Sequence, residues 1–190
     1  MSEKAIISKL DDLLKPLGFT RQKTAWNRRS GYVVEVIDVQ VSKAGDTATV
    51  NAGVLDTDAH VKLWGSEPPT FVEEPACTVR ARVGDLIDGK DLWWQLNDDQ
   101  VTDKVAKEIT DHVLPFVKRM RSRQDMVQWL TDTQVVKKKY PPPIINLAIL
   151  QNFLGNSSEG CELLAEVQKK AIGAWRARAA EVAERLGCAK

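Results

Sequence analysis

Apolar and polar residues alternate most tightly between Trp26 and Leu55, and the pattern there predicts a meander of three strands over residues 26–29, 32–41 and 47–55. Ser30-Gly31 and Ala44-Gly45-Asp46 supply the turns between them. The central run, VVEVIDVQV, is rich in β-branched residues that fit a pleated surface and resist a helix. Both of its faces carry apolar side chains, as an interior strand requires. The third run alternates cleanly, with Ala48, Val50, Ala52 and Val54 on one side and Thr47, Thr49, Asn51 and Gly53 on the other. Residues 77–83 repeat the device. Cys77, Val79, Ala81 and Val83 point one way and Thr78, Arg80 and Arg82 the other, so a fourth antiparallel strand is expected.

Helical spacing takes over on either side of these strands. Ile6, Leu10, Leu13, Leu14 and Leu17 make one stripe over residues 2–17, which Pro16 and Gly18 bring to an end. A second stripe (Val105, Ile109, Val113, Phe116, Met120) predicts a long helix with a kink or restart at Pro115. Ser122-x-x-Asp125 resembles a capping box and opens a short helix through Met126, Trp129 and Leu130. Charge and three prolines then mark a boundary over residues 132–143, and three helices follow, over 144–154, 157–171 and 174–186, each closed at or near a glycine. Their lengths are those of a tetratricopeptide-like hairpin plus a closing helix, but one hairpin makes no repeat array. The expected organisation is an α+β domain over 1–131, a basic, proline-rich linker over 132–143, and a helical tail over 144–190 docked on that domain.

Two connections break the periodicity. Residues 56–76 contain three prolines and scattered apolar side chains, and read as a long loop. Within it, Asp56-x-Asp58-x-His60 is the nearest thing to a metal-ligand cluster, yet a four-ligand site needs partners at recognisable spacing that the sequence does not supply. No metal and no other cofactor is expected. Residues 84–96 read as a second, turn-rich connection in which Gly84 and Gly89 make no phosphate-binding motif. Of the adjacent Trp93 and Trp94, one is expected to plug the core and the other to cover its rim.

Composition narrows the function classes. The 190 residues carry 27 basic and 26 acidic side chains, so net charge draws the chain neither to nucleic acid nor to an anionic membrane. No apolar run approaches the ~20 residues of a membrane span, and the opening MSEKAIISKLDD has acids where a signal peptide is apolar, so no membrane association and a cytoplasmic location are expected. The three cysteines, Cys77, Cys161 and Cys188, form no C-x-x-C pair and suggest neither a disulfide framework nor a zinc site. Charge is nevertheless uneven. Lys118, Arg119, Arg121, Arg123, Lys137, Lys138 and Lys139 face only Asp125 and Asp132 between Pro115 and Tyr140, which defines a candidate polyanion-binding segment.

Catalytic constellations are thin. Neither His60, in the first irregular connection, nor His112, beside the apolar stripe of a helix, stands with an evident nucleophile, and Cys77 alternates with core valines. The paired acids Glu73-Glu74 and Asp98-Asp99 suit solvated loops better than one shared site. Arg80 and Arg82 stand out instead, because strand parity sends both guanidinium groups to the same face, where acids or a ligand must meet them. Arg28 and Trp26 can join if the register allows, with Asp38 or Glu35 as counter-ion, giving a bidentate anion site beside an aromatic surface.

The motifs Leu17-Gly18-Phe19, Trp26-x-Arg28, Gln40-x-Ser42, Asn51-x-Gly53-Val54, Cys77-x-x-Arg80-x-Arg82-x-Gly84-x-Leu86, Trp93-Trp94 and Leu114-Pro115 with Lys118 occur in an order that resembles the bacterial domain of unknown function 4304 family, from about Lys4 to Leu130. The resemblance implies a small cytoplasmic α+β protein without an established activity. The reading that follows is a non-catalytic protein- or ligand-binding module, monomeric or weakly homodimeric. Its partner is expected to be another protein, for instance the target of a neutralising protein in a bacterial toxin or secretion system. The alternatives are nucleic-acid or polyanion binding through the basic segment, and a small hydrolase-type enzyme with an unrecognised site.

Overall fold

Strand pairing in the computed structural model, which describes residues 3–132 and 140–188, follows the order β1-β2-β3-β4-β5, with β6 on β4 as well. The strands are β1 (Thr20–Gln22), β2 (Ala25–Ser30), β3 (Val33–Val41), β4 (Thr47–Asp56), β5 (Val79–Arg82) and β6 (Trp94–Gln95). The α+β class and the open antiparallel sheet are as the sequence pattern predicts. The sheet has six strands rather than four, because β1 and β6 are too short to show a period. The chain forms two compact units, Met1–Leu55 with Pro69–Arg119, and Asp56–Pro68 with Met120–Lys190.

In the first unit the sheet has two unlike faces. One buries Trp26, Ile37, Ala52 and Val54. Helix α1 (Glu3–Leu14) meets this face, burying Ile6, Leu10 and Leu14, and its Asp11 accepts a 2.9 Å hydrogen bond from the Trp26 indole. The helix stops at Leu14, short of the expected Leu17, because Pro16 tightens the next turn and Gly18 at φ 87° reverses the chain. A second helical run comprises α4 (Val101–Glu108), a wide π turn at Ile109–Val113 and α5 (Leu114–Arg119). The wide turn stands where Pro115 removes one backbone donor, so the helix passes the proline without restarting.

The opposite face is apolar at one end, where Val34, Val36 and Leu55 cluster with Val72 and Cys77, and polar at the other. Cys77 lies on this side, not beside Val79 and Ala81, because β5 begins only at Val79 and strand parity does not extend back to it. A Cβ on Gly53 would stand 2.7 Å from the Cys77 sulfur, which fixes that contact. The expected loop over 84–96 contains α3 (Val83–Ile87) and β6. Trp94 is 8% exposed and fills the core, while Trp93 lies outside it with its indole on Asp91 at 2.9 Å. A Cβ on Gly84 would meet the Lys90 carbonyl oxygen at 1.8 Å and the Leu92 amide nitrogen at 2.9 Å, both rigid backbone. Gly84→Ala is therefore expected to cost about 1–3 kcal/mol, seen as a lower urea midpoint; an unchanged midpoint would mean the 90–92 segment does not rest on this glycine.

In the second unit the expected loop after residue 56 is a helix, α2 (Thr57–Trp64). Asp56 caps it by accepting from the Ala59 amide at 2.9 Å, and Gly65 at φ 76° closes it. The three prolines that suggested a loop all lie beyond this helix. Helix α6 (Arg123–Asp132) starts where Ser122 accepts from the Asp125 amide at 3.2 Å. Helices α7 (Pro141–Phe153), α8 (Ser157–Lys170) and α9 (Ala174–Arg185) follow. The three prolines expected to end an extended linker instead form the first turn of α7, where no intrahelical donor is needed. The rest of the expected linker, 133–139, lies outside the described residues. Gly160 sits where a Cβ would come within 2.6 Å of the Ala148 carbonyl, so α7 and α8 touch through backbone. Contrary to the cysteine spacing, Cys161 and Cys188 are joined by a disulfide.

Candidate functional site

The residues singled out by strand parity do not form one site. The register pairs Arg28 with Glu35 and Trp26 with Ile37, and Asn51 with Arg82 and Gly53 with Arg80. Asn51 also bonds Gln40 at 3.0 Å, so Arg80 and Arg82 share the Asp38 and Gln40 side of β3, while Arg28 and Trp26 stand on the opposite side. Trp26 is fully buried. Arg28 is engaged by the fully buried Glu35, by the Leu17 carbonyl at 2.8 Å and by the Phe19 ring 4.3 Å below it. Trp26 belongs to the core, and Arg28, only partly exposed, has its guanidinium committed to these contacts.

Arg80 and Arg82 are set in an ordered polar surface. Arg80 makes a two-point contact with Glu74 at 2.7 and 2.8 Å. Glu74, expected with Glu73 in a solvated loop, is instead 5% exposed and comes from the turn before β5. Arg82 reaches Asp91 at 2.8 Å, Asn51 at 3.2 Å and Gln40 at 3.4 Å, and lies 5.3 Å above the Trp93 ring. Each guanidinium is thus already met by fixed side chains.

Beside the Arg80–Glu74 pair the surface opens into a cleft of about 220 Å³, lined by Gln22, Lys23, Thr24, Asp38, Phe71 and Glu73 among others. Lys23 and Thr24 are the two residues between the paired Gln22 and Ala25, and Lys23 adopts φ 54°, the one positive φ outside glycine among the described residues. Such a backbone costs free energy and persists only where its surroundings fix it. Here the Lys23 carbonyl accepts from Arg21 at 2.7 Å, and the Thr24 hydroxyl donates to Asp38 at 3.0 Å. Burial raises the pKa of Asp38 from its ordinary value, and the nearby Glu74 and Glu73 add to that rise against the Thr24 and Asn51 hydrogen bonds.

A carboxyl whose folded pKa is raised contributes stability below its unfolded pKa and loses it as pH climbs through the folded value. Asp38→Asn keeps an acceptor for Thr24 and removes the disfavoured charge. It is expected to raise the melting temperature at neutral pH, with the gain vanishing as pH falls below the carboxylate range. A variant that melts lower at neutral pH would show that the charge is stabilising.

The other candidates scatter. Asp56 and Asp58 are both taken by Arg123, at 2.6 and 2.5 Å, and His60 lies on α2 with its ring 6.5 Å from that of Trp64. Among the described residues no group of three His, Cys, Asp or Glu could hold a metal ion. Arg123 leaves the proposed polyanion set, since it is paired to those acids and stacked 4.4 Å over Phe153. Lys118 and Arg119 end α5 on exposed positions, Arg121 is partly buried, and Lys137, Lys138 and Lys139 lie outside the described residues. His112 faces Glu108 at 3.3 Å one turn back on its own helical run. Cys77 is buried, and loss of solvation pushes its thiol pKa well above the ordinary value, so it is held as the inert thiol.

The geometry defines an α+β domain with an open antiparallel sheet, packed by helices on one face and carrying an ordered polar surface with a cleft on the other. Comparison with known families matches residues 10–119 to a domain of unknown function, DUF4304, and the chain belongs to that family. No curated protein matches the chain, and no solved structure does. Among the described residues no helix is long and apolar enough to cross a membrane.

Proposed function

We propose that this chain is a non-catalytic binding module of the bacterial cytoplasm whose polar sheet face takes another protein. One observation carries the reading: the cleft at Asp38 opens beside side chains already fixed by partners of their own, with a strained Lys23 at its rim. A surface ordered in advance loses little side-chain entropy on binding, which is what recognition without chemistry requires. The partner-neutralising role in a toxin or secretion system is the form of this proposal that gene order can address, by supplying the neighbouring gene product as the candidate partner.

Arginine removal is a poor test, because Arg80→Ala leaves the buried Glu74 without its counter-ion and confuses folding with binding. Asp38→Asn and Lys23→Gly are better, the first keeping the Thr24 bond and the second relieving the positive φ. Titration calorimetry against the neighbouring gene product is expected to show affinity reduced about tenfold or more for each, an effect of at least about 1.4 kcal/mol, with melting temperatures at or above that of the parent. Unaltered affinity in both variants would remove the cleft from the binding surface.

A further inference from the structure

The disulfide between Cys161 and Cys188 spans 27 positions of sequence, with Cα atoms 5.6 Å apart. It lies outside the residues matched to the family. It ties the second turn of α8 to the residues just past the end of α9. The apolar burial that otherwise holds α9 against α8 is small. Of its twelve residues only Ala179 and Val182 are buried, and both are small. Gly173 at its N-cap offers no side chain to the first amides. A helix of this length is marginal in water by itself.

Helix α9 also lies along α8 and touches α7, and its contacts with α2 are polar or aromatic. Arg185 donates to the Lys62 and Leu63 carbonyl oxygens at 3.0 and 3.1 Å, serving the open C-terminal end of α2. The Lys62 ammonium returns a bond to the Arg185 carbonyl at 3.3 Å. Arg178 stacks 4.6 Å from the Trp64 ring, and Trp175 meets that ring edge-on at 6.1 Å. Partly exposed contacts of this kind are individually weak. The covalent bond is therefore the strongest single constraint on the helix.

We propose that Cys161–Cys188 is a redox switch that controls whether α9 covers the Leu63 and Trp64 end of α2. A dithiol reductant breaks the sulfur–sulfur bond by exchange and supplies two electrons and two protons. Cys161 and Cys188 become thiols, and the reductant closes to its own disulfide. Both cysteines are only partly buried, so the bond is within reach of exchange. Cys77 is buried and stays outside it. Once reduced, α9 is left with two small buried residues against α8 and its contacts on α2, and it opens locally while α7, which buries Ile145, Ile149 and Leu150, stays folded.

Hydrogen–deuterium exchange of the full chain, oxidised and in excess dithiothreitol, tests this. Amides over 174–185 are expected to exchange about tenfold or more faster after reduction, with those of α7 unchanged. The fluorescence lost in Trp64→Phe should become more accessible to acrylamide in the reduced parent. Oxidised glutathione should reverse both effects, and the double variant Cys161→Ser, Cys188→Ser should match the reduced parent under oxidising conditions. If that variant does not fold, the reversible comparison of oxidised and reduced parent decides alone. Three results would overturn the switch: a bond that native protein does not yield to dithiothreitol, equal exchange over 174–185 in both states, or loss of protection across α7, α8 and α9 together.

Discussion

Arg28→Met is expected to destabilise the sheet unit by about 3–5 kcal/mol, the range found when one member of a buried ion pair is removed. The partner left behind, Glu35, has no solvent exposure at all and sits on the central strand. Methionine preserves most of the volume over Phe19, so the loss isolates charge rather than packing. The Leu17 carbonyl also loses its donor, a smaller effect at the exposed end of the contact. The second variant, Arg28→Met with Glu35→Leu, replaces the pair by apolar side chains and should recover most of the stability. Urea unfolding of the three proteins gives the comparison. A single variant within about 1 kcal/mol of the parent would mean that water or another group reaches Glu35.

This pair also shows why part of the site was legible in the sequence and part was not. Period-2 alternation located β2, β3 and β4 to within a residue or two, because long half-buried strands repeat their pattern several times. Helices α8 and α9 are equally readable from spacing and closing glycines, and α7 is readable except for its first turn, which the three prolines form. Parity within one strand correctly put Arg80 with Arg82. Parity between strands needs the register, and the register sets Arg28 across from Glu35 and on the other face. Glu74 and Asp91, which meet the two arginines, come from irregular segments whose path no periodicity encodes.

Helix α2 was missed for a different reason. Its signals were present, an Asp56 cap and a Gly65 stop, but only eight residues separate them and prolines crowd the segment that follows. The disulfide was missed because Cys161 and Cys188 are brought together by the packing of two helices, and a 27-residue separation carries no local mark. Cys77 falls on the face opposite to the one strand parity predicts, because the strand begins only two residues later, at Val79. Tertiary contact, rather than local pattern, places both the disulfide and Cys77.

Arg123→Met is the second large expected effect, again about 3–5 kcal/mol, and here the chemistry that looked like a metal site becomes the explanation. Asp56 is fully buried and does two jobs: its carboxylate caps α2 through the Ala59 amide and receives Arg123 at 2.6 and 3.2 Å. Asp58, largely exposed, adds a contact at 2.5 Å that contributes little by itself. Methionine retains packing on Phe153 but takes the guanidinium away from the buried Asp56 carboxylate. Adding Asp56→Ser to Arg123→Met separates the two jobs, since serine still caps the helix and carries no charge. The double variant should therefore be more stable than Arg123→Met alone, whereas Asp56→Ala in the same background should lose a further ~1 kcal/mol through the cap. Thermal and urea melts of the four proteins give the comparison. If Arg123→Met and its Asp56→Ser partner melt together, the buried charge is not what Arg123 balances, and the arginine holds α6 chiefly through its stacking on Phe153.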